Sequence, residues 1–289
     1  MMRHTWAALL IGGLIGTMGC RERPMQPPPD GTAPLSAAEL AAGLEENLGV
    51  HAFPENTPHG LASWHTWRPS RHHSTTMRLG YAHGASAAAE VLAHLDSLAA
   101  LVRYHDLGSG RYRWLKPETC VTPGLGCILT ALEVRSQPNL RPVTRALRSA
   151  VIARQYSPIE AAEFLLQLVQ AIPYEVPLEI PFGLLPPATV MSEKRGDCDS
   201  KSLLLSHLLS VVGIRSLLIS SSAHGHTMLG IAVPTTGRTF EVGGTRYAYA
   251  ETTAIGSPLG FIAPNLLTPD DWRTVPKPEN IPSELVSLD

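Results

Sequence analysis

The run Lys194-Arg195-Gly196-Asp197-Cys198-Asp199-Ser200-Lys201-Ser202, continued by Leu203-Leu204-Leu205-Ser206-His207-Leu208-Leu209, decides how the chain is read. A polar turn with a glycine delivers a cysteine to the first turn of an apolar helix. Asp197 has the short oxygen-bearing side chain that caps helix N-termini, and Gly213 stands where a left-handed residue ends one. A thiol in a first helical turn faces unpaired backbone N–H groups and the positive end of the helix dipole. Both favour the thiolate, the nucleophilic form. Cysteine also packs like a small hydrophobe, so this stretch alone leaves a buried structural role equally open.

The chain has 289 residues, 44% hydrophobic and 17% charged, with a net charge of −2. That suits a globular core, and it offers no overall basic field for a nucleic-acid partner. Residues 1–19 read as a signal. Arg3 supplies a basic start, and the apolar run from Trp6 to Gly19 is shorter than the ~20 residues that span a bilayer. Gly19-Cys20 ends it in a way that resembles a bacterial lipoprotein signal, with Cys20 as the lipidated residue. This leads us to expect an exported protein, held by a lipid anchor in the cell envelope and, with Arg21 rather than aspartate next, at the outer membrane. Residues 20–35 hold Pro27-Pro28-Pro29 and read as an extended tether.

Four cysteines are present: Cys20, Cys120, Cys127 and Cys198. In an oxidising compartment Cys120 and Cys127 can bridge the short loop between them. With Cys20 lipidated, Cys198 is then expected to be an unpaired thiol, for which a catalytic role would account.

Residues 36–140 read as a helical and irregular N-terminal region. Ser36 to Glu39 forms a capping box, followed by a helical stripe of Leu40, Leu44 and Leu48. From His51 to Gly84 the chain is rich in histidine and proline and reads as a surface loop, its histidines matching no standard metal spacing. Ser86 opens a helix with the stripe Val91, Leu92, Leu95, Leu98 and Val102. Arg111–Leu115 and Ile128–Val134 read as short strands.

A second unit is expected over residues 141–274. Ser157-Pro158-Ile159-Glu160 starts a helix striped by Ala161, Phe164, Leu165, Leu168, Val169 and Ile172. Beyond Gly213 the pattern turns to strands at Leu217–Ile219, Met228–Val233, Thr239–Val242 and Arg246–Ala250, with Gly243-Gly244 as a hairpin turn. Helices followed by an antiparallel sheet make an α+β fold. Residues 275–289 read as a proline-rich tail lying loosely on the surface.

A catalytic cysteine needs a base, and the base an orienting carboxylate or amide. His207, nine residues along the same helix, points away from Cys198 at about 100° per residue. His224 and His226 come at the start of a strand, and Glu251 closes the next hairpin. A thiol on a helix, with histidine and carboxylate on adjacent strands, is the papain-type layout.

The segment from Tyr156 to Thr253 resembles the transglutaminase-like superfamily, a bacterial branch of papain-fold cysteine enzymes. Gly196 to Ser202 is similar to its nucleophile block, His226 to Ile231 to its histidine strand, and Glu251-Thr252-Thr253 to its third block, where aspartate is commoner. Leu168 to Tyr174 is similar to the helix end that precedes the nucleophile. The resemblance covers about a third of the chain. It implies a papain-like core with Cys198 as nucleophile, His226 as general base and acid, and Glu251 as its orienting group. It also implies a peptide or protein substrate acylating Cys198 through a thioester, with no cofactor. Two alternatives stay open. His224, His226 and Cys198 could hold zinc, with Glu251 as fourth ligand or as base, and a papain-like fold can lose activity and serve as a binding or scaffold lipoprotein.

Overall fold

A computed structural model describes residues 45–53, 63–69, 76–83, 85–108, 111–115, 117–118, 120, 126–278 and 285–286. The expected signal, Cys20 and the tether lie outside these residues. The described residues form ten strands and five α-helices, a mixed α+β fold. No helix among them is long and apolar enough to cross a membrane.

The strands β1 (Glu45–Phe53), β2 (Ser63–Trp67) and β3 (Thr76–His83) make one sheet in the order β1-β3-β2. This corrects two expectations. Leu48 lies in a strand, because β1 pairs in parallel with β3 from Glu45↔Thr76 to Phe53↔His83. The segment from His51 to Gly84 is not a plain surface loop either. It contributes buried Trp67, Met77, Leu79 and Tyr81 to the core. His65 is buried and donates from Nε2 to Met191 O at 2.8 Å, so it serves packing. Its pKa falls to about 4, chiefly because burial disfavours the imidazolium.

Helix α1 (Ala85–Leu101) buries Val91, Leu95 and Leu98 and passes into the hairpin of β4 (Arg103–Gly108) and β5 (Arg111–Leu115). Residues 128–134 are not a strand. They belong to α2 (Gly126–Ala153), which buries Ile128, Leu129 and Leu132 at helical spacing. Residue 141, where the second unit was expected to begin, falls inside this helix. The main core also runs unbroken from Trp67 through Leu147 and Phe164 to Ile231 and on to Leu259.

Helix α3 (Pro158–Gln170) carries the expected capping box, with Ser157 and Glu160 bonded reciprocally, and buries its whole apolar stripe. After the short α4 (Pro187–Glu193), Asp197 caps α5 (Cys198–Val211), which is buried from Cys198 to Leu209. Gly213, at φ +77°, ends that helix in the left-handed region.

The second large sheet contains β6 (Ser216–Ser221), β7 (His226–Ile231), β8 (Thr239–Val242), β9 (Thr245–Ala250) and β10 (Arg273–Val275). Its order is β10-β6-β7-β9-β8, antiparallel throughout. Alternation divides its faces. Leu218, Leu229, Ile231, Ala248 and Ala250 join the main core under the helices. Ile219, Met228 and Tyr249 face a smaller cluster with Ile262 and Trp272. The tail is not loose at its start: Val275 lies in β10, and Lys277 Nζ reaches Glu133 Oε2 at 2.6 Å and Ser206 Oγ at 2.8 Å.

Candidate active site

The start of α5 is built tightly. Asp197 Oδ1 accepts from Ser200 N at 2.9 Å and from Ser200 Oγ at 2.6 Å, the expected cap. At Gly196 an added Cβ would stand 3.2 Å from Ser200 Cβ, so turn and helix approach closely and a side chain there would require Ser200 to give way by a few tenths of an ångström. Arg195 fixes the turn from outside, its guanidinium within 2.6–2.7 Å of Glu175, Glu179 and Glu193. Glu175 N also donates to Gly196 O at 3.2 Å.

Cys198 is the first residue of α5 and is buried. The expectation of an unpaired thiol is corrected: Cys198 is disulfide-bonded, and among the described residues no cysteine is free. A disulfide sulfur has no lone thiolate, so Cys198 in this form is not a nucleophile. Cys120 and Cys127 are bridged as the sequence allows.

His226 opens β7 and Glu251 directly follows β9. The antiparallel pairing of Leu229 with Ala250 brings those two strand ends together. His226 Nε2 lies 2.6 Å from Glu251 Oε2. A carboxylate only accepts, so Nε2 carries the proton, which leaves Nδ1 as the nitrogen that could exchange one with a thiol. Glu251 Oε1 is held in turn by Thr253 N at 2.9 Å and Thr253 Oγ1 at 2.7 Å. Both members of the pair are largely buried, with side-chain exposures of 13% and 5%. Burial opposes charge on each, but their mutual attraction and hydrogen bonds outweigh it. The His226 pKa is raised above its ordinary value, with Asp197 adding to the effect, and that of Glu251 is lowered to about 2.

Asp197 and Asp199 flank Cys198, and both are buried. Burial raises the Asp197 pKa to about 6. Burial together with the Asp197 charge raises that of Asp199 well above the ordinary range. Asp197 Oδ2 and Asp199 Oδ1 make no hydrogen bond. With Cys198 they form the one group of three possible metal-ligand atoms among the described residues, within 4.8 Å of one another. A metal there would compete with the disulfide at Cys198.

His224 does not join the pair. It sits before β7, with Nε2 3.2 Å from Asp271 Oδ2, so the grouping of His224 with His226, Cys198 and Glu251 as zinc ligands does not form. His207 is buried on α5, where burial and nearby Lys277 lower its pKa to about 4.

Three neighbours carry no role in the sequence reading. Trp272 covers the histidines, its ring centroid 6.2 Å from that of His226 and 5.9 Å from that of His224. Thr253 clamps Glu251, and only its place two residues on could have signalled this. Gln170, at the end of α3, is fully buried and lies off the helix's apolar stripe. A polar residue closing a buried helix was its one available signal.

No family model matches the chain, and no curated protein or solved structure does.

Proposed function

We propose that this chain is a cysteine-dependent acyl-transfer enzyme with a papain-like core, akin to the transglutaminase-like superfamily, acting on peptide amides. The observation that carries the reading is the buried His226–Glu251 pair at 2.6 Å, adjoining the helix that begins with Cys198. The capped start of α5 supports it, because the backbone N–H groups and dipole of a helix N-terminus favour a thiolate once the sulfur is free.

In this mechanism a dithiol reductant first releases Cys198 from its disulfide. The thiolate attacks the amide carbonyl, and protonated His226 gives its proton to the departing amine. Water, deprotonated by His226, or an amine then cleaves the thioester and returns the thiolate. Glu251 holds the imidazole in one tautomer and stabilises the imidazolium. The Cys198 backbone N–H would serve as one oxyanion donor. Export and a lipid anchor at Cys20 complete the proposal. Acylation would tie up the Cys20 sulfur in a thioether, so with Cys120 and Cys127 bridged to each other the anchored protein corresponds to the reduced form of Cys198 that the mechanism uses.

The disulfide at Cys198 favours a second reading, a binding or scaffold lipoprotein in which that sulfur has no chemical role. Amine release from a peptide library separates the two, using the reduced full chain beside Cys198→Ala. Turnover by the native sequence that vanishes in Cys198→Ala supports the enzyme. Equal release by both, or none by the reduced native chain, overturns it.

A further inference from the structure

The loop of residues 251–257 carries Glu251 but has no regular structure of its own. Thr253 braces the carboxylate from inside this loop, so it cannot set where the loop stands relative to β7. Three side chains from outside reach it: Gln167 Nε2 lies 3.3 Å from Ser257 O, Ser202 Oγ lies 3.3 Å from Thr252 Oγ1, and Gln170 makes the most bonds. Gln170 Nε2 lies 2.8 Å from Glu251 O, 2.9 Å from Ser257 Oγ and 3.1 Å from Ser257 O. Its Oε1 accepts from Gly256 N at 3.0 Å. A single buried amide thus binds both ends of the loop, using its donors and its acceptor there.

The same turn of α3 receives the nucleophile helix. Lys201, on α5 one turn beyond Cys198 and 1% exposed, donates from Nζ to Ile172 O at 2.7 Å and lies 3.4 Å from Gln170 O. A cation at a helix C-terminus meets the negative end of the dipole, and these bonds use carbonyls that the helix leaves unpaired. The helix end at 170–172 is therefore a common anchor, gripping α5 through Lys201 and the Glu251 loop through Gln170.

We propose that Gln170 is a positioning residue for the Cys198–His226–Glu251 site. It fixes the Glu251 loop so that the carboxylate meets His226 Nε2 while α5 is anchored to the same helix end. This rests on the catalytic reading above. With the amide gone, Glu251 O, Gly256 N and Ser257 Oγ each lose a partner; Gln167 still meets Ser257 O and Ser202 still meets Thr252, but nothing from α3 then holds Glu251's own backbone, and that end of the loop can drift. His226 then loses the carboxylate that raises its proton affinity, and the thiolate loses its imidazolium. A residue that merely supports the fold would change the melting temperature but not the proton affinity of Cys198.

The test is the pH dependence of iodoacetamide alkylation at Cys198, read by mass spectrometry of its peptide. It uses the reduced full chain with the native sequence, His226→Ala and Gln170→Met, all well below their melting temperatures. The expected result is a low apparent pKa in the native chain, raised in His226→Ala and raised by about one unit in Gln170→Met. One unit corresponds to about a tenfold smaller thiolate fraction on the acid side of the transition. A native pKa that rises in His226→Ala but stays put in folded Gln170→Met overturns the positioning role and leaves the catalytic reading intact. A native thiol of ordinary pKa, indifferent to His226, overturns both. Should Gln170→Met not fold, Ser257→Ala removes one of the amide's partners without a large cavity. An upward shift there supports the proposal, and an unchanged pKa overturns it.

Discussion

Glu251 holds His226 from one oxygen while its other oxygen is held by Thr253, so the imidazole cannot turn without breaking a 2.6 Å bond in a buried setting. The pairing is directional as well as tight. It fixes the proton on Nε2.

Replacing that carboxylate by an amide keeps its shape and removes its charge. Glu251→Gln should fold, yet lower the turnover of the reduced chain by at least about 100-fold, within the scale seen when an orienting carboxylate is lost from a triad. Steady-state amide hydrolysis measures it. Turnover within about twofold of the native chain would remove Glu251 from the mechanism.

Lys201 predicts a pH effect of definite sign. Its ordinary pKa is 10.5 and its value in the folded chain is about 8, chiefly because burial disfavours the ammonium. Between pH 8 and 10.5 the unfolded chain binds more protons, so raising the pH through that window favours folding. Below pH 8 both states are protonated and the contribution is constant. In urea unfolding, the native chain should therefore gain stability relative to Lys201→Met from pH 8 to 10.5 and show a flat difference from about pH 6 to 8. A difference that falls with rising pH would contradict the buried ammonium.

The N-terminal sheet packs on the same core as the site. Trp67, 2% exposed, lies against Phe164 of α3 with ring centroids 5.4 Å apart. Trp67→Ala should cost about 3–5 kcal/mol in a single cooperative unfolding transition. Two separate transitions, with the α3–β9 part unmoved, would mean that residues 45–140 fold apart from the rest.

The parts legible in the sequence were those with local signals. The Ser157–Glu160 capping box marked the start of α3, the Asp197 cap and Gly213 bounded α5, and Gly243-Gly244 marked the β8–β9 hairpin. The parts missed depend on distant partners. Nothing near Leu48 signals a parallel pairing with residues about thirty positions away, and a leucine stripe there suits either element. Ile128 to Val134 reads as a strand because its apolar residues are dense and Pro138 and Pro142 lie just beyond. Packing on several sides nevertheless carries the helix past both prolines. At the site, chain order was enough to select His226 and Glu251 as a pair. Gln170 was hidden because its partners lie about eighty residues further along.

The most direct test of the central claim is the apparent pKa of Cys198 in the reduced full chain, followed by iodoacetamide alkylation with and without His226→Ala. The account predicts reaction well below about pH 7 in the native chain and a shift toward the ordinary thiol value of about 8.5 in the variant. A thiol that titrates near about 8.5 in both would contradict it, and Cys198 would then be structural.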